Sequence, residues 1–230
     1  MEPRTGLVIV FALYPGVTQL DFTGPMQVLS RVPGAKIILA SKAGGAMEAD
    51  GLRLSDLAVL KEQARCDVLC VAGGPGATAA GLDEGFVGEI RRLAKGARFA
   101  ASVCMGSFVL GAAGLLEGKR DACHWAWRHL LALFGAQPAD ERVVRDGNLL
   151  TGGGVTAGID FALTLAAEIA GEEIAQAIQL SLEYAPTPPF DAGRPELVSA
   201  EVLSRVEKGL AKMRGTRVAE VREAARRLGR

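Results

Sequence analysis

An α/β doubly wound fold with a mostly parallel sheet is what this sequence predicts, on three observations. Short runs that are apolar throughout recur along the chain, as in "GLVIVFAL" (6–13) and "DVLCVAGG" (67–74). Segments with helical spacing lie between them, as in "EGFVGEIRRLAKG" (84–96). Glycines gather where such runs end, as in "GGPGA" (73–77) and "TGGGVTAG" (151–158). A strand that is apolar on both faces is covered on both faces, and helices returning between such strands build parallel sheet.

The elements follow in chain order. The run 6–13 is the first strand, stopped by Tyr14-Pro15-Gly16. "GPMQVLSRV" (24–32) is a helix with Thr23 as its N-cap and Pro25 just inside, where a missing N–H does no harm. "AKIILAS" (35–41) and the run 67–74 are the second and third strands. The amphipathic helix 84–96 ends at Gly96. "RFAASV" (98–103) is another buried strand, followed by a helix over 106–116. "DACHWAWRHLLALFG" (121–135) reads as a short strand running into a helix. "ERVVRDGNLLTGGG" (141–154) is a hairpin turning at Asp146-Gly147. "TAGIDFALTLAAEIAG" (156–171) is a long buried helix. "PTPPF" (186–190) breaks the alternation, and a helix-prone tail rich in Lys and Arg occupies 199–229. Such a charged face is ordinarily a solvated one, or a contact with a partner subunit.

Composition narrows the function classes. At 230 residues the chain suits one large domain. Its 26 Lys and Arg balance 26 Asp and Glu, so no global charge draws it to nucleic acid or to an anionic membrane. No apolar run reaches membrane-spanning length, and no cleavage-site pattern follows the first one. The expected location is therefore the cytoplasm. Its four cysteines, Cys66, Cys70, Cys104 and Cys123, are expected to be reduced. Cys66 and Cys70 stand roughly 13 Å apart along an extended strand, too far for a disulfide. No C-x-x-C occurs and there are two histidines, so neither a metal nor another cofactor is expected.

Cys104 lies at the joint between the strand 98–103 and the helix that follows, with Gly106 close behind. In open α/β sheets reactive groups collect at the carboxyl ends of strands. A sharp turn there lifts a side chain out of the core, as the serine elbow of hydrolases does. The N-terminus of the following helix favours a thiolate, and its backbone N–H groups can hold developing negative charge. The other three cysteines read as buried structural residues. Nothing in the local spacing pairs His124 or His129 with Cys104. The alternative proton partner is a carboxyl. Asp21 follows the first strand among Val17, Leu20 and Phe22, in surroundings that favour its protonated form. The two glycine clusters fit neither G-x-G-x-x-G nor the P-loop. They suit close backbone approach to a substrate, or tight turns alone.

With these residues in place, the chain resembles the isonitrile (isocyanide) hydratase family. That family lies within the PfpI-type, class I glutamine amidotransferase-like superfamily. The segments that carry the likeness are "LDFTGP", "VAGGPG", "SVC" with Gly106 and "VLGAAGLLEGKR", "HWAW", "ERVVRDGNLLTGGGVTAGIDFALTLAAE" and "LEYAPTPPFDAG", across most of 6–195. The resemblance implies a flavodoxin-like three-layer sandwich over residues 1–195. The tail 196–230 then belongs to the same domain or to a homodimer contact. It also implies Cys104 as nucleophile, Asp21 as its acid/base partner, a hole lined by the amides of Gly74 and Met105, and Thr156 near the site. Its substrate would be a small isonitrile, hydrated to an N-substituted formamide. The family pattern has threonine after the cysteine. Here Met105 takes its place, which removes a hydroxyl and leaves the backbone N–H. Two other functions stay open at this stage: a cysteine-based redox or stress sensor, and a ligand-sensing domain related to AraC-type regulators.

Overall fold

The computed structural model describes residues 6–230. Residues 1–5, where the predicted domain begins, lie outside the described residues. The chain runs β1 (Leu7–Leu13), α1 (Leu20–Leu29), β2 (Ala35–Ser41), β3 (Gly45–Ala49), β4 (Leu52–Val59), β5 (Val68–Val71), α2 (Ala77–Ala80) and α3 (Glu84–Gly96). It continues with β6 (Phe99–Val103), α4 (Gly106–Ala112), β7 (Arg120–Asp121), β8 (Gln137–Pro138), β9 (Val143–Asp146) and β10 (Leu149–Gly152). It closes with α5 (Ala157–Ala170), α6 (Glu172–Ser181) and α7 (Ala200–Arg227).

Eight strands form one sheet in the order β3-β4-β2-β1-β5-β6-β10-β9. All neighbours pair in parallel except the two edge strands, β3 on β4 and β9 on β10. The central strands are buried along their length: every residue of β5 and β6 is buried. Helices α1 and α5 pack together on one face, while α2, α3, α4 and α7 gather on the other. The result is the predicted doubly wound three-layer sandwich. No helix among the described residues is long and apolar enough to cross a membrane.

Several local expectations need correction. The first helix opens at Leu20, not Gly24, with Gln19 at its N-cap. Thr23 lies inside it and donates its hydroxyl proton to the Gln19 side chain. Pro25 stands in the second turn, where its ring removes a donor to the Asp21 carbonyl. Burial of Phe22, Pro25 and Val28, with α1 packed on α5, outweighs that loss. The fourth helix stops at Ala112, ahead of Gly114 with φ +74°. The segment after β7 is 3₁₀ over Arg128–Phe134, not α. The hairpin turns on Gly147-Asn148, because Asp146 pairs with Leu149. The strands β3 and β4 and the helix α6 were not predicted.

Candidate active site

Four loops meet at the carboxyl edge of the sheet. They follow β1, β5, β6 and β10, and backbone hydrogen bonds tie them together. Thr18 N–H donates to the Gly73 carbonyl at 3.0 Å, and Gly76 N–H to that of Gly16 at 3.0 Å. Cys104 N–H is shared between the carbonyls of Gly152 and Gly153, each at 2.9 Å.

Cys104 itself has φ +59°, a left-handed conformation that a side-chain-bearing residue rarely takes. It costs about 1–3 kcal/mol and is held only where its surroundings impose it. This is the predicted elbow. Directly behind it Gly106 crowds the Val71 carbonyl, so no larger residue fits there. The turn carries the sulfur toward α1. The Asp21 carboxyl lies against the thiol and the Gly73 amide, and both contacts stabilise its ionised form. Neither reaches full hydrogen-bond geometry, so both carboxyl oxygens stay without a conventional protein donor. Asp21 is 1 % exposed, and burial pushes its pKa to about 7. Asp50 adds a smaller push in the same direction.

The thiol departs from the sequence expectation. The start of α4 was expected to favour a thiolate. Cys104 is 4 % exposed, and burial drives its pKa well above the ordinary thiol value, with the neighbouring Asp21 adding to the shift. The backbone N–H groups of Met105 and Val155 draw it back, and desolvation prevails. At neutral pH the proton sits on sulfur, beside a carboxyl able to take it. The remaining cysteines are free and buried, as expected. Burial raises Cys66 to about 12.

A cavity of about 250 Å³ opens next to the elbow, between Cys123, His124, Trp125, Gly153, Val155 and Thr156. Val155 is shared by the cavity wall and the sulfur, which it reaches through its amide. His124 stacks on Trp125 with ring centroids 5.7 Å apart, and burial lowers its pKa, so it is neutral. His129 is exposed, away from this cavity. Thr156 sits at the rim, where Arg142 donates to its hydroxyl at 3.4 Å. Arg142 is itself held by Asp160, which also accepts from the Tyr184 hydroxyl.

Of the residues expected at the site, Asp21, Cys104 and the Met105 amide come together directly. Thr156 lies at the mouth. Gly74 packs against Gly16–Thr18, and its neighbour Gly73 faces the reacting pair. A Cβ on Gly73 would fall 2.5 Å from Asp21 Oδ2, 2.5 Å from Met105 N and 2.7 Å from Cys104 Cβ. Sequence reasoning missed Gly73 and Val155. Both follow a strand at the same edge of the sheet, and that placement was the available signal.

Known proteins agree with this architecture. Over 206 residues the chain is 49% identical to isonitrile hydratase of Pseudomonas putida, covering 89% of this chain and 90% of that protein. It is 30% identical to Protein dj-1beta of Drosophila melanogaster, over 78% of this chain and 96% of the other. A crystal structure of a THiJ/PfpI family protein from Pseudomonas syringae superposes with a TM-score of 0.90 at 36% identity, covering 96% of this chain and 90% of that one. The DJ-1/PfpI family profile matches residues 7–168, and the chain belongs to that family.

Proposed function

We propose that this chain is an isonitrile hydratase, with Cys104 as nucleophile and Asp21 as the acid/base group. The observation that carries the reading is the buried carboxyl set against a neutral thiol. The 49% identity to the Pseudomonas putida hydratase supports the substrate class.

The terminal carbon of an isonitrile, R–N≡C, accepts both a nucleophile and a proton. Asp21, ionised, takes the proton from the Cys104 thiol as sulfur bonds to that carbon. The carboxyl then returns the proton to the same carbon, giving R–N=CH–S–Cys104. Water adds to this thioimidate carbon as Asp21 accepts a proton from it and passes that proton to the nitrogen, which leaves Asp21 ionised again. The C–S bond of R–NH–CH(OH)–S–Cys104 then breaks, and the hydroxyl proton passes to sulfur. The product is R–NH–CHO and the resting thiol. One sulfur and one carboxyl balance every step, so the scheme uses no histidine at the sulfur. The amides of Met105 and Val155 hold the charge that develops there. The glycine turn at 73–74 leaves room for the reacting carbon, and Thr156 borders the route from the cavity.

The same reading makes the chain a cytoplasmic homodimer. In it residues 1–195 form the catalytic domain, and the tail 196–230 packs on that domain and on the partner. Val202, Val206 and Met213 of α7 stand exposed in support of such a contact. The deciding test is incubation of the purified protein with a simple aryl or alkyl isonitrile. Formamide should accumulate without added oxidant or cofactor. No formamide from any of a panel of such compounds rejects the assignment.

A further inference from the structure

His124 lines the cavity, and the hydration scheme leaves its chemistry unused. Its main chain and its ring are both pinned. The carbonyl accepts from the N–H groups of Trp127 and Arg128 at 2.9 and 3.0 Å. The imidazole stacks on Trp125, and its Nδ1 accepts from the Ala126 N–H at 3.3 Å. A neutral imidazole carries one proton, and the bond made by one nitrogen decides which of the two holds it. With Nδ1 accepting, the proton stands on Nε2.

That edge of the ring faces Gly154. A Cβ on the glycine would fall 3.0 Å from Cδ2 and 3.7 Å from Nε2, so the bare backbone keeps the edge uncrowded. Both residues line the cavity, and the next one, Val155, turns its amide to the sulfur. Among the described residues Nε2–H has no protein acceptor. The charges round the mouth are spent on one another: Arg128 on Asp140, Arg142 on Asp160, Glu141 on Arg120. What the wall offers here is a fixed, uncharged donor.

We infer that His124 is a specificity-determining residue whose Nε2–H donates to a hydrogen-bond acceptor carried on the R group of the isonitrile, such as an ether, ester or amide oxygen. This rests on the hydratase reading of the site. The isonitrile group is linear, so R points away from the sulfur once the terminal carbon meets it, and the adjoining cavity receives R. Its volume of about 250 Å³ exceeds the ~150 Å³ apolar cavity that takes up benzene, so a six-membered ring fits. An R group made of hydrocarbon alone covers the donor and leaves it unpaired, which disfavours binding.

Matched substrates test this. Cyclohexyl isonitrile is compared with two tetrahydropyranyl analogues, whose ring oxygen lies β or γ to the carbon bearing the isonitrile. Wild type should turn over at least one ether with kcat/KM about fivefold above the carbocycle, the gain residing in KM. His124→Phe keeps a ring beside Trp125 and should lose the preference. His124→Gln restores an N–H donor and should keep most of it. A ring that merely packs would affect both members of a pair alike and leave their ratio unchanged. Equal or poorer use of both ethers by wild type overturns the inference, as does an unchanged ratio in folded His124→Phe. A second measurement needs neither turnover nor that variant. Nitrogen NMR of the two histidine rings, assigned with His129→Gln, should show His124 as the Nε2–H tautomer. The ether formamides should shift its Nε2 signal at lower concentration than cyclohexyl formamide does. An Nδ1–H tautomer, or equal titrations, overturns the inference. Turnover without ether preference removes this role and leaves the hydratase standing. No turnover, with the expected titrations, rejects the hydratase and leaves the donor site standing.

Discussion

Asp21 opens α1 and Cys104 follows β6, far along the chain, yet the carboxyl of one rests against the thiol of the other, with Gly73 as the spacer between them. Neither group alone is a site. Burial makes the acid weak and the thiol weaker, so a single proton is poised between two neighbours. Removing either partner tests the pair. Cys104→Ala should abolish formamide production. Asp21→Asn keeps the shape but neither accepts nor returns a proton, and should lower kcat/KM by about 10²–10⁴. An Asp21→Asn protein turning over at the wild-type rate would separate the carboxyl from the chemistry.

The proton accounting sets a pH profile. The active state carries one proton on the pair, on sulfur, with Asp21 ionised. Below about 7 Asp21 becomes protonated and cannot accept from the thiol. The kcat/KM for a neutral isonitrile should therefore rise with pH to a plateau above about 7, with the thiol's own ionisation far to the alkaline side. A profile flat from pH 5 to 9 (roughly two units either side of the carboxyl midpoint) contradicts that assignment.

Most of this architecture was legible in the sequence, because strands buried on both faces leave a strong signal. The runs 35–41 and 84–96 match β2 and α3 residue for residue. The elbow was legible too, since Cys104 stands at a strand-to-helix joint. The strands β3 and β4 escaped because "GAMEADGLRLSDLAV" is half-exposed edge sheet with a register shift, and its alternation is broken. The state of the thiol was misjudged for a different reason. Local sequence displays a helix N-terminus, whereas the desolvation that outweighs it comes from four loops distant in the chain.

Gly73→Ala tests the spacer. The added methyl would meet the Asp21 carboxyl, the Met105 amide and the Cys104 Cβ at 2.5–2.7 Å, closer than real Cβ contacts allow. Two of these three neighbours lie in the elbow and cannot yield easily. Overpacking of this kind costs about 1–3 kcal/mol. Activity should fall by at least about tenfold, as the carboxyl is forced from the sulfur and proton transfer with it. A folded Gly73→Ala enzyme with unchanged kcat would mean that the contact does not limit turnover.

Met105 follows Cys104 directly in the elbow. Its side chain is buried, and its N–H reaches the sulfur. Met105→Thr should lose about 2–4 kcal/mol of stability, because it removes a core thioether and buries a hydroxyl. The backbone amide is retained. Hydration should therefore survive, with change confined mainly to KM as the pocket is reshaped. Loss of kcat beyond about a hundredfold in a folded variant would show that the thioether itself takes part in the chemistry.

Asp121 offers a last test, on stability. It is fully buried, neither carboxyl oxygen has a conventional partner, and Ser107 only partly offsets the desolvation that raises its pKa to about 7. An acid whose folded pKa lies above its unfolded value favours folding below the unfolded value of 3.8, and that contribution is lost as pH rises through about 7. The ionised form is then confined in the core, at a maximum penalty of ~4 kcal/mol. Asp121→Asn cannot ionise, so its stability advantage over wild type should widen by ~2–3 kcal/mol between about pH 5 and 8. Asp21 titrates equally in both proteins and cancels from the difference. Urea midpoints of the two at each pH measure the gap. A gap of equal size at both pH values means that Asp121 does not titrate in this window, and that an unseen donor satisfies its carboxylate.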